Sequence, residues 1–235
     1  MEGFKNRMNV KELFSNISGT YDLLNRILSM GTDKRWRKKG TKLLPHGKNL
    51  RILDLASGTL DLTLQYAKQG DGEIYCVDFA LPMLMTGRTK VSPVLDHRIH
   101  LVCGNGMGLP FPGHFFDAAM CAWGMRNFPD PLKGLKEAQR ILKPGASLLV
   151  IDFFKPSRSF SKIFSRTYGK YIIPTLGSLI SGNKAAYDYL HNSVEGFYTR
   201  FEYENLLEQA GFEIIVSKDL TGGISSLILA NANTD

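Results

Sequence analysis

The stretch RILDLASGTLDLTLQYAKQGDGEIYCVDF, residues 51–79, constrains the fold more than any other part of the chain. An apolar strand-like run (51–55) passes through a turn of small residues into a helix-like segment (59–69). It then closes on a second strand-like run (73–79) that carries an acid, Asp78. Strand, helix and strand joined by short links make a βαβ unit, whose two strands lie parallel in one sheet. The alternation continues with strand-like runs at 98–103, 115–122, 147–153, 213–218 and 225–230, and helix-like segments at 81–90, 131–142 and 201–210. The pattern predicts an α/β fold with a seven-stranded, mostly parallel sheet covered on both faces by helices. Within PDPLKGLKEAQRILKPG a helix opens near Pro131, repeats apolar residues at Leu132, Leu135, Ala138 and Leu142, and is stopped by Pro144 and Gly145. The link TGG at 221–223 joins the last two runs as a hairpin, so the final strand is antiparallel to its neighbour. Residues 1–50 and 155–199 stand outside this alternation and read as helical. We expect one domain over 1–235, with an N-terminal helical cap (1–50) and a helical lid insertion (155–199).

Apolar runs such as FFDAAMCAW and GASLLVIDFF are strand-sized, far below the roughly 20 residues of a membrane span. MEGFKNRMNVKELF has no apolar core of a signal peptide, so a cytoplasmic protein is expected. Cys76, Cys103 and Cys121 lie in apolar runs without metal-type spacing and read as reduced core thiols. His46, His97, His100, His114 and His191 are scattered, so no metal is expected. Disorder is expected only in the final NANTD. The net charge of +7 is concentrated: residues 1–50 carry eleven Lys or Arg against four acids, and 155–187 carry six basic residues and no acid. Such runs are either solvated helical faces or a surface for an anionic partner. The apolar and aromatic spacers SRTYGKYIIPTLGSLI suit a membrane surface or a lipophilic ligand better than a phosphate track.

In an open α/β sheet the ligand lies beyond the carboxyl ends of the strands, which directs attention to the turn ASGT at 56–59. Asp78 stands 20 residues after Gly58, the spacing of a carboxylate that takes the hydroxyls of a ribose. A dinucleotide fingerprint needs three glycines, and this loop has one, flanked by Asp54 and Asp61. Those acids repel phosphates and suit a cationic cofactor carrying a sulfonium and an ammonium, and S-adenosylmethionine is such a molecule. Asn105 and Gly106 follow the third strand, where an adenine amino group is read. Trp123, Arg126 and Asn127 end the fourth.

With these residues in place the chain resembles the ubiquinone/menaquinone biosynthesis C-methyltransferases, from about residue 12 to 222. YDLLNRILSMGTDKRW, LDLASGTLDLT, GMRNFPD, RILKPGASLLVIDFFKP, YDYL and DLTGG are similar to that family's blocks. The resemblance implies a class I, Rossmann-like methyltransferase that methylates a ring carbon of a prenylated quinol, demethylmenaquinol in the first instance, with S-adenosylmethionine as donor. It carries the cofactor contacts onto Thr59, Asp78, Asn105 and Gly106. Ala122 stands where a serine contact is usual, Leu60 where a glycine, Asp33 where a histidine, Ala146 where a glycine and Asp152 where a glutamate.

Methyl transfer to carbon requires a ring made nucleophilic by loss of a phenol proton, held in contact with the donor in a dry pocket. Arg126 with Asn127 is expected to bind the quinol oxygen and favour its anion, directly or through water. The alternative is that Arg126 pairs with a nearby acid and holds its loop. Tyr21, Asp22 and Asn25 either close the N-terminal helix over the cofactor or serve as a cap or buried hydrogen-bond set. Trp36 and Trp123 read as packing residues, with Trp123 also a lining for the ring. Another amphiphilic acceptor, a sterol or a phospholipid, or a cofactor-binding scaffold without turnover, remain as alternatives. An RNA substrate is disfavoured, because no aromatic and basic interleaving lies near the site.

Overall fold

A computed structural model describes residues 12, 14–16, 18, 19, 21–29, 31–156, 189 and 192–234. Most of the lid expected at 155–199, including the apolar block 168–180 and all its basic residues except Lys155, lies outside the described residues.

Strand β1 (Arg51–Leu55) pairs in parallel with β2 (Glu73–Asp78) on one side and β4 (Phe116–Ala122) on the other. Ile52 to Leu55 are all buried, the carboxylate of Asp54 included, because a central parallel strand is covered on both faces. With β3 (Ile99–Cys103), β5 (Leu142–Asp152), β6 (Phe212–Leu220) and β7 (Ser225–Ala232) the order is β3-β2-β1-β4-β5-β7-β6. The sheet has seven strands, and β7 runs antiparallel to both β5 and β6. The order reverses between β1 and β4, the switch point where such sheets bind ligands.

Alternate strand residues feed two cores. Leu53, Leu55, Ala119, Cys121, Leu148 and Val150 face α6 (Pro131–Ile141) and α7 (Arg200–Gln209). Ile52, Ile74, Met120, Leu149 and Ile151 face α2 (Asp33–Thr41), α3 (Asp61–Ala67) and α4 (Leu81–Arg88). Two further helices are α1 (Tyr21–Leu28) and a single turn, α5 (Pro93–Asp96). Helix α2 sits close on the sheet because residue 40 is glycine: a Cβ there would stand 2.8 Å from Ile151 Cδ1. Its buried side is Asp33, Trp36, Arg37, Gly40 and Thr41, and its outward side is wholly basic at Lys34, Arg35, Lys38 and Lys39.

Three expectations change. Helix α6 ends at Ile141 and β5 begins at once at Leu142, five residues earlier than the pattern predicts. Pro144 disfavours helix for the residue before it, and the extended backbone joins β4 through a register shift between Phe116 and Ala118. Asn231 and Ala232 of the expected disordered tail are paired strand residues, Asn231 accepting from the Ser147 hydroxyl at 2.8 Å. Cys76 and Cys121 are buried, but Cys103 is exposed, because it closes the edge strand β3. Among the described residues no helix is long and apolar enough to cross a membrane.

Candidate functional site

A cavity of about 450 Å³ opens at the carboxyl ends of β1, β2 and β4, within the roughly 300–1,000 Å³ of small-ligand pockets. Its floor is the turn after β1, where Ala56, Gly58 and Leu60 all take left-handed φ values of 54°, 54° and 65°. The turn exposes backbone N–H groups and aims that of Gly58 at Asp78 Oδ2, 2.8 Å away. The other Asp78 oxygen accepts from Ala80 N at 2.8 Å. Burial pushes the Asp78 carboxyl above its ordinary value, and these N–H groups oppose the shift. Each oxygen keeps lone pairs for a further donor, so the carboxylate is fixed in direction and still able to take two hydroxyls.

Asn105 and Gly106 line the same cavity. The Asn105 side chain accepts from Met107 N at 3.0 Å, tightening the loop. Only glycine fits at 106, where a Cβ would lie 2.5 Å from the Phe128 ring. Asn127 forms another part of the wall: its amide nitrogen donates to Trp123 O at 3.3 Å and its oxygen accepts from the Tyr189 hydroxyl at 2.9 Å. The Trp123 carbonyl can only accept, so it fixes which way this amide points and leaves one amide N–H over. Tyr21 and Phe14 close the opposite side, their rings 6.0 Å apart. Burial raises the Tyr21 hydroxyl above its ordinary value, with Arg126 and Asn25 opposing, so it stays protonated and able to donate.

Two of the predicted residues do not reach this wall. Thr59 is buried and its hydroxyl donates to Asp22 of α1. Arg126 lies behind the wall, only 5% exposed, with Nη1 on Asp152 Oδ1 at 2.8 Å and on Trp123 O at 2.6 Å. The second of the two readings of Arg126 is the one the geometry displays: it is paired with an acid and holds the loop from Trp123 to Asn127. Its charge still acts on the site, opposing the upward shift of Tyr21. Sequence reading missed the Tyr189 contact to Asn127, which falls 62 residues away and has no local mark.

Leu60, in the place of a usual glycine, adopts the glycine conformation and is fully buried. Room for it comes from Gly87 in α4, where a Cβ would be 2.4 Å from Leu60 Cγ. The second departure, Asp33, joins Arg37 and accepts from the Ser29 hydroxyl at 2.8 Å. Beneath the turn, Asp54 is 1% exposed, takes the Thr63 hydroxyl on one oxygen and has no partner among the described residues on the other. Burial pushes it up to about 7.

Among the described lining residues Asp78 is the one ionisable carboxylate, and no lysine or arginine is present. A phosphate would meet no cation here, whereas a nucleoside with a positive sulfur meets Asp78 on the wall and Asp54 below it. Aromatic surface from Phe14, Tyr21, Phe79, Trp123 and Phe128 supplies the rest, a lining for a flat apolar ring. The residues therefore fit S-adenosylmethionine beside an aromatic acceptor. No group of three or more metal-binding side chains occurs among the described residues.

The profile of the ubiE/COQ5 methyltransferase family matches residues 1–231. A demethylmenaquinone methyltransferase of Thermus thermophilus is 40% identical over 216 residues, covering 92% of this chain and 97% of that protein. A ubiquinone/menaquinone biosynthesis C-methyltransferase of Syntrophotalea carbinolica is 40% identical over 218 residues, covering 92% and 91%. Among solved structures, a SAM dependent methyltransferase from Aquifex aeolicus superposes with a TM-score of 0.60 at 20% identity, covering 83% of this chain and 88% of its own. At that identity the last comparison speaks for the fold, which is the class I, Rossmann-like methyltransferase fold.

Proposed function

The chain belongs to the ubiE/COQ5 methyltransferase family, an S-adenosylmethionine-dependent C-methyltransferase of menaquinone or ubiquinone biosynthesis, and from that premise we propose that it converts demethylmenaquinol to menaquinol. The observation that carries this reading is the cavity itself, a carboxylate at ribose spacing on one wall and an aromatic lining with a single oriented amide on the other. Asp78, Asn105 and Gly106 would hold the nucleoside, with Thr59 contributing by fastening the turn through Asp22. When bound, the cofactor supplies an electrophilic methyl group. The remaining amide N–H of Asn127 would hold a ring oxygen, and the positive field of Arg126 favours that oxygen as an anion. Closing of the aromatic wall excludes water and keeps ring and donor in contact.

The test supplies the purified protein with S-adenosylmethionine and, in parallel, a reduced short-tail demethylmenaquinol, a demethylated benzoquinol, a sterol and a phosphatidylethanolamine, and reads products by mass spectrometry. A methylated naphthoquinol formed in clear preference is the expected result. Methylation of the phospholipid or sterol with the quinols untouched would sink the reading. Cofactor binding without turnover on any acceptor would leave a scaffold.

The same reading asks how a membrane-dissolved quinol reaches the site. The outward face of α2, with Lys34, Arg35, Lys38 and Lys39 exposed, supports peripheral contact with an anionic bilayer. At about 1 kcal/mol for each basic residue near such a surface, Lys38→Gln with Lys39→Gln is expected to weaken binding to phosphatidylglycerol vesicles about 30-fold at low salt. The loss should fade as salt rises. Equal vesicle binding by both proteins would dismiss the contact.

A further inference from the structure

The aromatic wall on the Tyr21 side is carried by α1, and among the described residues of that helix Asp22 ties it to the core by side-chain hydrogen bonds. Asp22 places Oδ1 on the Thr59 hydroxyl, at the end of the floor turn, and Oδ2 on Lys90 Nζ at 2.6 Å, just beyond α4. Lys90 is shared: the same Nζ lies 2.6 Å from Asp61 Oδ1, on the first residue of α3. Asp61 is in turn 3.5 Å from Arg37, which pairs with Asp33 and lies with Cζ 4.7 Å over the Trp123 ring. Burial pushes Asp61 up, but Arg37 and Lys90 outweigh it and hold its carboxyl below the ordinary value. Asp22, Lys90 and Asp61 are between 23% and 30% exposed at their side chains, sheltered enough to be screened less than surface charges and open enough to be broken at small cost.

We propose that Asp22 is a positioning residue for the cofactor, a latch that sets Tyr21 over the cavity by grasping Thr59 and Lys90 together. The geometry points to this role because Asp22 neighbours Tyr21 on α1 but does not line the cavity. Tyr21 can stand against a bound nucleoside only while α1 is held against the floor turn. One end of the grasp lies at the cofactor loop and the other reaches it through Lys90: Thr59 precedes Leu60, the N-cap of α3, and Asp61, held by Lys90, begins that helix. Opening the latch frees the wall and lets the ligand leave, while the floor contacts of Asp78 stay in place. The latch governs how long the ligand stays more than how fast the methyl group moves. The inference rests on the cofactor reading.

The experiment measures binding of S-adenosylhomocysteine by calorimetry and its release by stopped flow, for the wild-type chain, Asp22→Asn and Asp22→Glu. Asp22→Asn is expected to bind about tenfold more weakly, with the change in the release rate. The KM for S-adenosylmethionine should rise in the same ratio and kcat fall much less. Asp22→Glu, which keeps a charged pair of acceptor oxygens for Thr59 and Lys90, is expected to bind to within about threefold of wild type. Unchanged binding in Asp22→Asn overturns the latch, as does a fall in kcat at unchanged KM, or an Asp22→Glu variant that binds no better than Asp22→Asn. A wild-type chain that binds no S-adenosylhomocysteine overturns the cofactor reading and the latch with it.

Discussion

Alanine at Arg126 is expected to destabilise the folded chain by about 3–5 kcal/mol, the usual consequence of removing one partner of a buried ion pair. At this chain length that corresponds to a fall of roughly 10 °C in Tm. The reason is Asp152. It is the last residue of β5, fully buried and 2.8 Å from the guanidinium, and without Arg126 its charge has no counterpart among the described residues. Burial already pushes this carboxyl up, and the guanidinium opposes the shift. Its removal raises the folded value further above the unfolded one. For a raised carboxyl, stability is full at low pH and lost as pH rises, so Arg126→Ala should lose more at pH 8 than at pH 5. Urea unfolding at the two pH values measures this directly. Turnover should vanish as well, because the loop that presents Asn127 hangs on the same guanidinium through Trp123 O. Arg126→Met combined with Asp152→Asn separates the two effects. Deleting both charges should return most of the stability and none of the turnover. A double variant that regains activity would show that the positive charge has no part in the reaction.

The second large effect belongs to Asp54. Its carboxyl is raised from 3.8 to about 7 by burial, with one oxygen unpartnered among the described residues. The folded value exceeds the unfolded one, so its contribution to stability is complete below about pH 4 and is lost as pH climbs through about 7. At about 1.4 kcal/mol for each tenfold change, the loss amounts to about 4 kcal/mol. Asp54→Asn keeps the shape and removes the titration. The variant free of cofactor should match the wild type near pH 4 and exceed it by up to about 4 kcal/mol at pH 8, in denaturant titrations at a series of pH values. Binding should move the opposite way. The ionised carboxylate lies below a cation site, so wild-type affinity for the sulfonium should rise with pH through 7, and the variant should bind more weakly with a flat profile. A variant with wild-type pH dependence of stability would place the titration elsewhere.

The number of strands, the antiparallel end and the two-faced core could be read because they are written locally, in alternation and apolar runs that report burial residue by residue, whereas the order of the strands is not. Asp78 was legible for the same reason, since a carboxylate closing a strand 20 residues after a tight turn has few other uses. What escaped was the pairing of distant charges. Arg126 meets Asp152 across 26 residues and Asp22 meets Lys90 across 68, and no spacing rule links either couple. A hint for the first did exist: Asp152 is a lone acid inside the run LLVIDFF, and a buried charge demands a partner. Thr59 was expected at the ligand on resemblance, and its hydroxyl is turned to Asp22 because α1 supplies an acceptor that no local pattern announces.

Leu60 and Gly87 show what such distant fits mean for the history of a sequence. The leucine occupies a backbone conformation natural to glycine, and the space for its side chain exists because a residue in another helix has none. The two positions form one unit of variation. A side chain arriving first at 87 would collide with Leu60 and with the backbone of Thr59, whereas glycine arriving first at 60 would relax the turn and leave a void. A single change at 87 is blocked while Leu60 stands, whereas a single change at 60 costs only a void, so the two positions do not carry equal freedom.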